Sequence, residues 1–181
     1  MDAHDHQPGH HHHHQPAGHH HHDERPADFD WEAMANTLEL DGTMLLPIVH
    51  DIVHDMANAT DWASLHHVID VGCGPGVIAH ALAGHAPQAT VTALDSSSPL
   101  LARVQARASA EGWAHRSATV EADLDHPLPP LPAADVIWAS MVLHHVTEPP
   151  ATLAVLREQL RPGGMLVVVE FAGPAAVLPP D

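Results

Sequence analysis

Hydrophobic and polar positions along this chain follow two different periods, and the change from one to the other divides it. From Phe29 to about Ala59 apolar residues recur every three or four positions. "DFDWEAMANTLEL" places Trp31, Met34 and Leu38 on one helical face, and Asp41-Gly42 reads as its end. "TMLLPIVHDIVHDMANA" then predicts a second helix, with Leu45, Ile48, Val49, Ile52, Val53 and Met56 apolar, Thr43 as its cap and Pro47 in its first turn. The pair, 29–60, reads as a helical cover. After Asp61 short apolar runs alternate with helical segments. The strands expected are His67–Val71, Thr90–Leu94, Ala118–Ala122, Asp135–Ser140 and Met165–Phe171. Helices are expected over "GVIAHALAGH", from Pro99 to about Gly112, and over "ATLAVLREQL". Strands apolar throughout and alternating with helices predict an α/β fold, a Rossmann-like, mostly parallel sheet covered on both faces, spanning 61–181.

Composition narrows the partners. The chain has 181 residues, 45% of them hydrophobic, enough for one sizeable core. With 23 acids against 6 arginines and no lysine, its formal charge is −17, which disfavours a nucleic-acid backbone or an anionic membrane as partner. No apolar run is long enough to span a bilayer, and the N-terminus lacks a signal-peptide core, so a cytoplasmic location is the expectation. Residues 1–28 hold 11 of the 21 histidines, in tracts such as His10–His14 and His19–His22. That tail is expected to be disordered and able to bind transition metals through neutral imidazoles; a tag or compositional accident is the bland alternative. His50 and His54 lie four apart on the second predicted helix, but one such pair on a polar face is ordinarily just solvated, so no metal ligand set is assigned in the folded part.

The candidate chemistry sits in "VIDVGCGPGVIAHALA", Val68 to Ala83, where a strand breaks into three glycines within five residues before a helix. In an open α/β sheet, ligands bind outside the carboxyl ends of the strands where strand order reverses, and this loop lies at such an end. Asp95 ends the second strand 19 residues after Gly76, where a carboxylate can accept hydrogen bonds from a ribose diol. A dinucleotide fingerprint would require a third glycine at position 77, which is Val77, and Pro75 removes an amide that a pyrophosphate would use. Asp70 and Asp123 point to the same cleft, and three carboxylates suit a ligand carrying a cation and hydroxyls better than one carrying phosphates. Cys73, the single cysteine, reads as a small residue beside close-packed backbone. The bland alternative for Asp70 and Asp123 is capping of loop amides, and Asp135 is expected to do so.

Five ordered pieces, "VIDVGCGPG", "VTALD", "VEADL", "DVIWASMVLHHV" and "LRPGGMLVVVE", make residues 65–172 resemble the class I S-adenosylmethionine-dependent methyltransferases. The resemblance implies S-adenosylmethionine as cofactor and methyl transfer by in-line displacement to a small-molecule acceptor. Asp70 would reach the methionyl amine, Gly72, Cys73, Gly74 and Gly76 would admit the methionine portion and ribose, and Asp95 would hold the ribose hydroxyls. Ser96 would border the adenine, Asp123 and the Leu124 backbone would read its edge, and Ala139 to Met141 would line the transfer site. "LRPGG" would form a structural turn. His144 and His145 are the candidate bases, needed only for an acceptor that must lose a proton. Family members usually have seven strands, whereas five are recognisable here, so the chain is expected to be incomplete at its C-terminus. Two alternatives stand beside the enzyme: a non-catalytic S-adenosylmethionine binder, and a metal-handling protein acting through the histidine tail.

Overall fold

A computed structural model of the chain describes residues 29–171, and the histidine-rich tail lies outside them. Five strands, β1 (His67–Val71), β2 (Thr90–Asp95), β3 (Ser117–Glu121), β4 (Ala134–Ser140) and β5 (Leu160–Val169), form one sheet in the order β3-β2-β1-β4-β5. Every pairing is parallel. β1 and β4 are buried along their whole length, which is why both read as uninterrupted apolar runs. Chain order reverses at β1, flanked by β2 on one side and β4 on the other.

Alternate residues of the strands feed two cores. On one face Val68, Val91, Ala93, Val136 and Trp138 pack with Ala79 and Leu82 of α2 (Val77–His85), with Leu101 and Val104 of α3 (Ser98–Ala110), and with Val49 and Val53 of α1 (Trp31–Asp55). On the other, Ile69, Val71, Leu94, Ile137 and Ala139 pack with Leu156 of α4 (Pro149–Glu158) and with Leu124 and Leu128 from the loop after β3. Each fully buried Leu, Ile or Val contributes about 1.5–3 kcal/mol. Arg116 ties down the chain leaving α2 by donating to the carbonyls of Ala83 in its last turn and of Ala86 and Ala89 just beyond it.

Two expectations are corrected. The segments on either side of Asp41-Gly42 form one 25-residue helix, α1, capped by Asp30, which accepts from Ala33 N–H at 2.9 Å, and containing Pro47 in its interior. Thr43 is no cap; its hydroxyl donates to the Glu39 carbonyl within the helix. Gly42 is helical because α1 approaches α2 closely there: a Cβ on it would lie 2.9 Å from Val77 Cβ. Glu39 completes the docking through Arg103 and Arg107 of α3, at 3.1 and 3.3 Å. "LRPGG" is likewise no turn ahead of β5 but part of it. Leu160 pairs with Ala134 and Met165 with Val136, so residues 161–164 bulge opposite Asp135 alone. The remaining boundaries differ from expectation by a few residues.

Asp135 sits in that bulge at the amino end of β4. Its carboxylate accepts from the His66 and His67 amides and pairs with Arg161, so one buried acid ties β1, β4 and β5 together. Burial pushes its pKa up, but the His67 and His66 amides and the Arg161 charge outweigh that and hold it below the usual carboxylate range.

Candidate active site

The glycine loop joins β1 to α2 and is shaped by backbone that side chains disfavour. Gly72, Gly74 and Gly76 have φ of 64°, 53° and 82°. Gly72 and Gly76 are also required by packing, since a Cβ would come within 2.3 Å of Val142 and 2.9 Å of Val104 respectively. At Gly74 a Cβ would meet nothing within 4 Å: there the backbone is bared toward open space.

Asp95, at the end of β2, spans the loop. One carboxylate oxygen accepts from Gly74 N–H and the other from Ser97 N–H, both at 2.9 Å. The expected ribose ligand is therefore also the post that fixes the glycine loop to the start of α3. Ser96 is exposed beside Asp95.

Asp70 is 1% exposed in the last turn of β1, and its Oδ2 has no hydrogen-bond partner. Burial first, and the nearby Asp95 charge second, push its pKa up to about 8, only partly offset by the Ala79 amide. Cys73 is buried, and burial followed by the charges of Asp70 and Asp95 keeps its sulfur a thiol, consistent with a packing residue and not a nucleophile.

Beyond β3 and β4 the cleft is walled by loops that hold themselves in place. Asp123 is exposed and accepts from Asp125 N–H at 2.9 Å and lies 3.0 Å from His126 Nδ1, the local capping arrangement weighed for it from sequence. Leu124, half-buried, packs into the core. Asp125 accepts from the amide and hydroxyl of Thr147, linking the loop after β3 to the loop after β4. Ala139 is buried and pairs with Val71, so the end of β4 lies directly beside the glycine loop. Met141 follows with φ of 54°, strained backbone held by its N–H donating to the Val169 carbonyl.

His144 and His145 are exposed, with ring centroids 4.0 Å apart and ring planes inclined at 45°. His144 Nδ1 lies 2.8 Å from Glu170 Oε2, while Glu170 Oε1 accepts from the Val142 and Leu143 amides at 2.9 and 2.7 Å. Because a carboxylate only accepts, Nδ1 carries the proton in that contact, which leaves Nε2 as the nitrogen able to accept one. Burial pushes the Glu170 pKa up, but His144 and those two amides outweigh it and hold it below the usual range. Glu170 has no assigned role in the sequence reading. Its only signal there is an acid ending an otherwise apolar strand.

Residues 69–166 match the family model described as a methyltransferase domain. The chain is 33% identical over 148 residues to aclacinomycin 10-hydroxylase RdmB of Streptomyces purpurascens, covering 78% of this chain and 38% of that protein. To trans-aconitate 2-methyltransferase of Methylobacterium nodulans it is 33% identical over 114 residues, 63% of this chain and 42% of that one. It thus spans less than half the length of these two curated relatives. In fold it is similar to the crystal structure of a SAM-dependent methyltransferase from Aquifex aeolicus, with a TM-score of 0.66 at 19% identity over 84% of this chain and 79% of that one.

Proposed function

Because this chain belongs to the class I S-adenosylmethionine-dependent methyltransferases, we propose that it moves a methyl group from S-adenosylmethionine to a small-molecule acceptor. The observation that carries the cofactor assignment is the buried, unpartnered Asp70 Oδ2 beside a loop whose backbone opens to free space at Gly74. The residues present fit that cofactor: an amine cation beside Asp70 supplies the missing partner and reverses the raised pKa, and a nucleoside without pyrophosphate makes no demand on the amide that Pro75 lacks.

When bound, the cofactor supplies an electrophilic methyl on a sulfonium. Asp70 would hold the amine end, the Gly72 to Gly76 backbone would admit the methionine and ribose, and Asp95 would accept from the ribose hydroxyls. Ser96, Asp123 and Leu124 would border the adenine. Ala139 to Met141 wall the acceptor side, where alignment and exclusion of water supply most of the acceleration. For an acceptor bearing a proton, His144 Nε2 is the base and Glu170 fixes its tautomer; the His145 ring lies against it. That both named relatives carry small-molecule names supports an acceptor of that class.

Calorimetry with S-adenosylmethionine, S-adenosylhomocysteine and NAD tests the assignment. The two sulfur nucleosides should bind and NAD should not; the reverse pattern overturns it. Since one relative bears the name of a hydroxylase, turnover is read as transfer of an isotopically labelled methyl group into small acceptors and not as loss of substrate. Cofactor binding with no transfer to any acceptor favours a non-catalytic binder.

A further inference from the structure

On the outer side of the molecule, away from the carboxyl ends of the strands, α1 and the end of α2 enclose an open cleft of about 560 Å³. Three imidazoles line it: His50 and His54, one turn apart on α1, and His85, the last residue of α2. His50 Nδ1 and His85 Nε2 face each other at 2.7 Å, with their rings inclined at 63°. Such a contact requires at least one neutral ring presenting a lone pair to the other. Trp62, buried, packs against His85 with ring centroids 6.4 Å apart.

Nothing in the methyl-transfer site explains two imidazole nitrogens brought together from helices 35 residues apart in the chain. Alternatives to metal binding are weak. A neutral hydrogen bond at a half-exposed position contributes only about 1 kcal/mol, and doubly protonated rings would repel. Imidazole is the preferred ligand of borderline divalent cations, and two nitrogens that already converge need separate by only about half an ångström to take one at ~2.0–2.1 Å each.

We propose that His50 and His85 form a binding site for a divalent transition metal, of which Zn²⁺ is the type, with His54 as third ligand. Among the described residues no group of three or more metal-ligating side chains is already drawn to one point. The site is therefore a converged pair to which His54 is added by a change of rotamer, water completing the tetrahedron. A metal there would staple α1 to α2 and thus clamp the cover onto the cofactor-binding core.

The test is thermal unfolding of the full chain, first stripped with chelator and then given Zn²⁺, for the parent, His50→Gln, His85→Gln and His54→Gln. The histidine tract of residues 1–28 is the same in all four, so differences among them report the cleft. Saturating Zn²⁺ should raise the Tm of the parent by about 5–10 °C, the shift that a roughly hundredfold gain in the folded-to-unfolded ratio produces at this chain length. The shift should nearly vanish in His50→Gln and His85→Gln and be reduced in His54→Gln. An absent shift in the parent, or the same shift in all four proteins, overturns the proposal. Should the Gln variants fail to fold in chelator, a titration of the parent and Trp62→Phe with Cu²⁺ decides: extra quenching in the parent that Zn²⁺ reverses supports the site, and identical quenching in both overturns it.

Discussion

At the scale of single residues, the cofactor cleft runs on two acids with opposite roles. Asp95, proposed to hold the ribose hydroxyls, is also a structural acceptor for Gly74 and Ser97. Asp95→Ala should weaken S-adenosylmethionine binding by about 2–4 kcal/mol, thirtyfold to a thousandfold by calorimetry. A strand-end carboxylate facing only a solvated cleft would leave Tm untouched when removed. This one releases two loop amides, so Tm should fall as well. Asp135→Ala is the control: it should leave cofactor affinity within about twofold while lowering Tm, because it strands the His66 and His67 amides and Arg161 at the opposite end of the sheet. Its stabilising effect is present above the unfolded carboxylate pKa and is lost as pH falls through its lower folded value. Asp70 behaves in the reverse sense. Its folded pKa of about 8 exceeds the unfolded value of 3.8, so between those values the folded protein binds the extra proton and stability falls as pH rises. Asp70→Asn should therefore raise the Tm of the ligand-free protein at pH 8, by about 1–3 kcal/mol in stability after the cost of burying an amide, and abolish measurable cofactor binding. Binding by the parent at pH 7 should release a proton, seen as a calorimetric heat that scales with the ionisation enthalpy of the buffer. These tests separate residues whose types were legible in sequence. Their loads were not, because what Asp95 and Glu170 accept from is set by turns that only the folded chain closes.

Among the elements, α1 shows where periodicity misleads and why. Asp41-Gly42 carries the composition of a helix stop, and Pro47 that of a first turn, yet the helix continues through both because Val49 and Val53 bury against the α2 side of the sheet. A Pro in a helix interior costs about 3 kcal/mol in isolation. Packing outweighs it, and packing of one helix on another leaves no local mark in sequence. Gly42 is at once the residue that suggested an end and the one that permits the contact with Val77. Gly42→Leu should thus lower Tm despite Leu being the better helix former, by about 1–3 kcal/mol or roughly 2–10 °C in a melt followed by circular dichroism. An unchanged or higher Tm would mean that α1 can lift off α2 without loss. The strands, by contrast, were legible nearly to the residue. β1 and β4 are buried on both faces, so their apolar runs have one reading. The bulge of β5 was not, since "LRPGG" looks like a turn until Asp135 is placed opposite it.

Taken as a whole, the described molecule is a five-stranded parallel sheet whose two cores are sorted by alternate strand residues, with its candidate chemistry at one end and its Asp135 clamp at the other. Among the described residues no helix is long and apolar enough to cross a membrane. The order of five apolar runs was enough to read the fold class, and the acids at their ends mark the candidate cleft. The contacts that close the sheet were not readable, because each joins residues far apart in the chain. That same separation governs how the molecule assembles. The central pairing of β1 with β4 brings together His67 and Asp135, 68 residues apart, and cannot form until the intervening β2 and β3 segments have been looped out of the way. The entropy of closing that loop is lost before any contact across it is gained. Refolding after rapid dilution from denaturant should accordingly fall in the millisecond-to-second range typical of non-local topologies. Asp135→Ala should then slow refolding if the clamp forms in the transition state, or speed unfolding if it forms afterwards, so a chevron of the two proteins times the closing of the sheet.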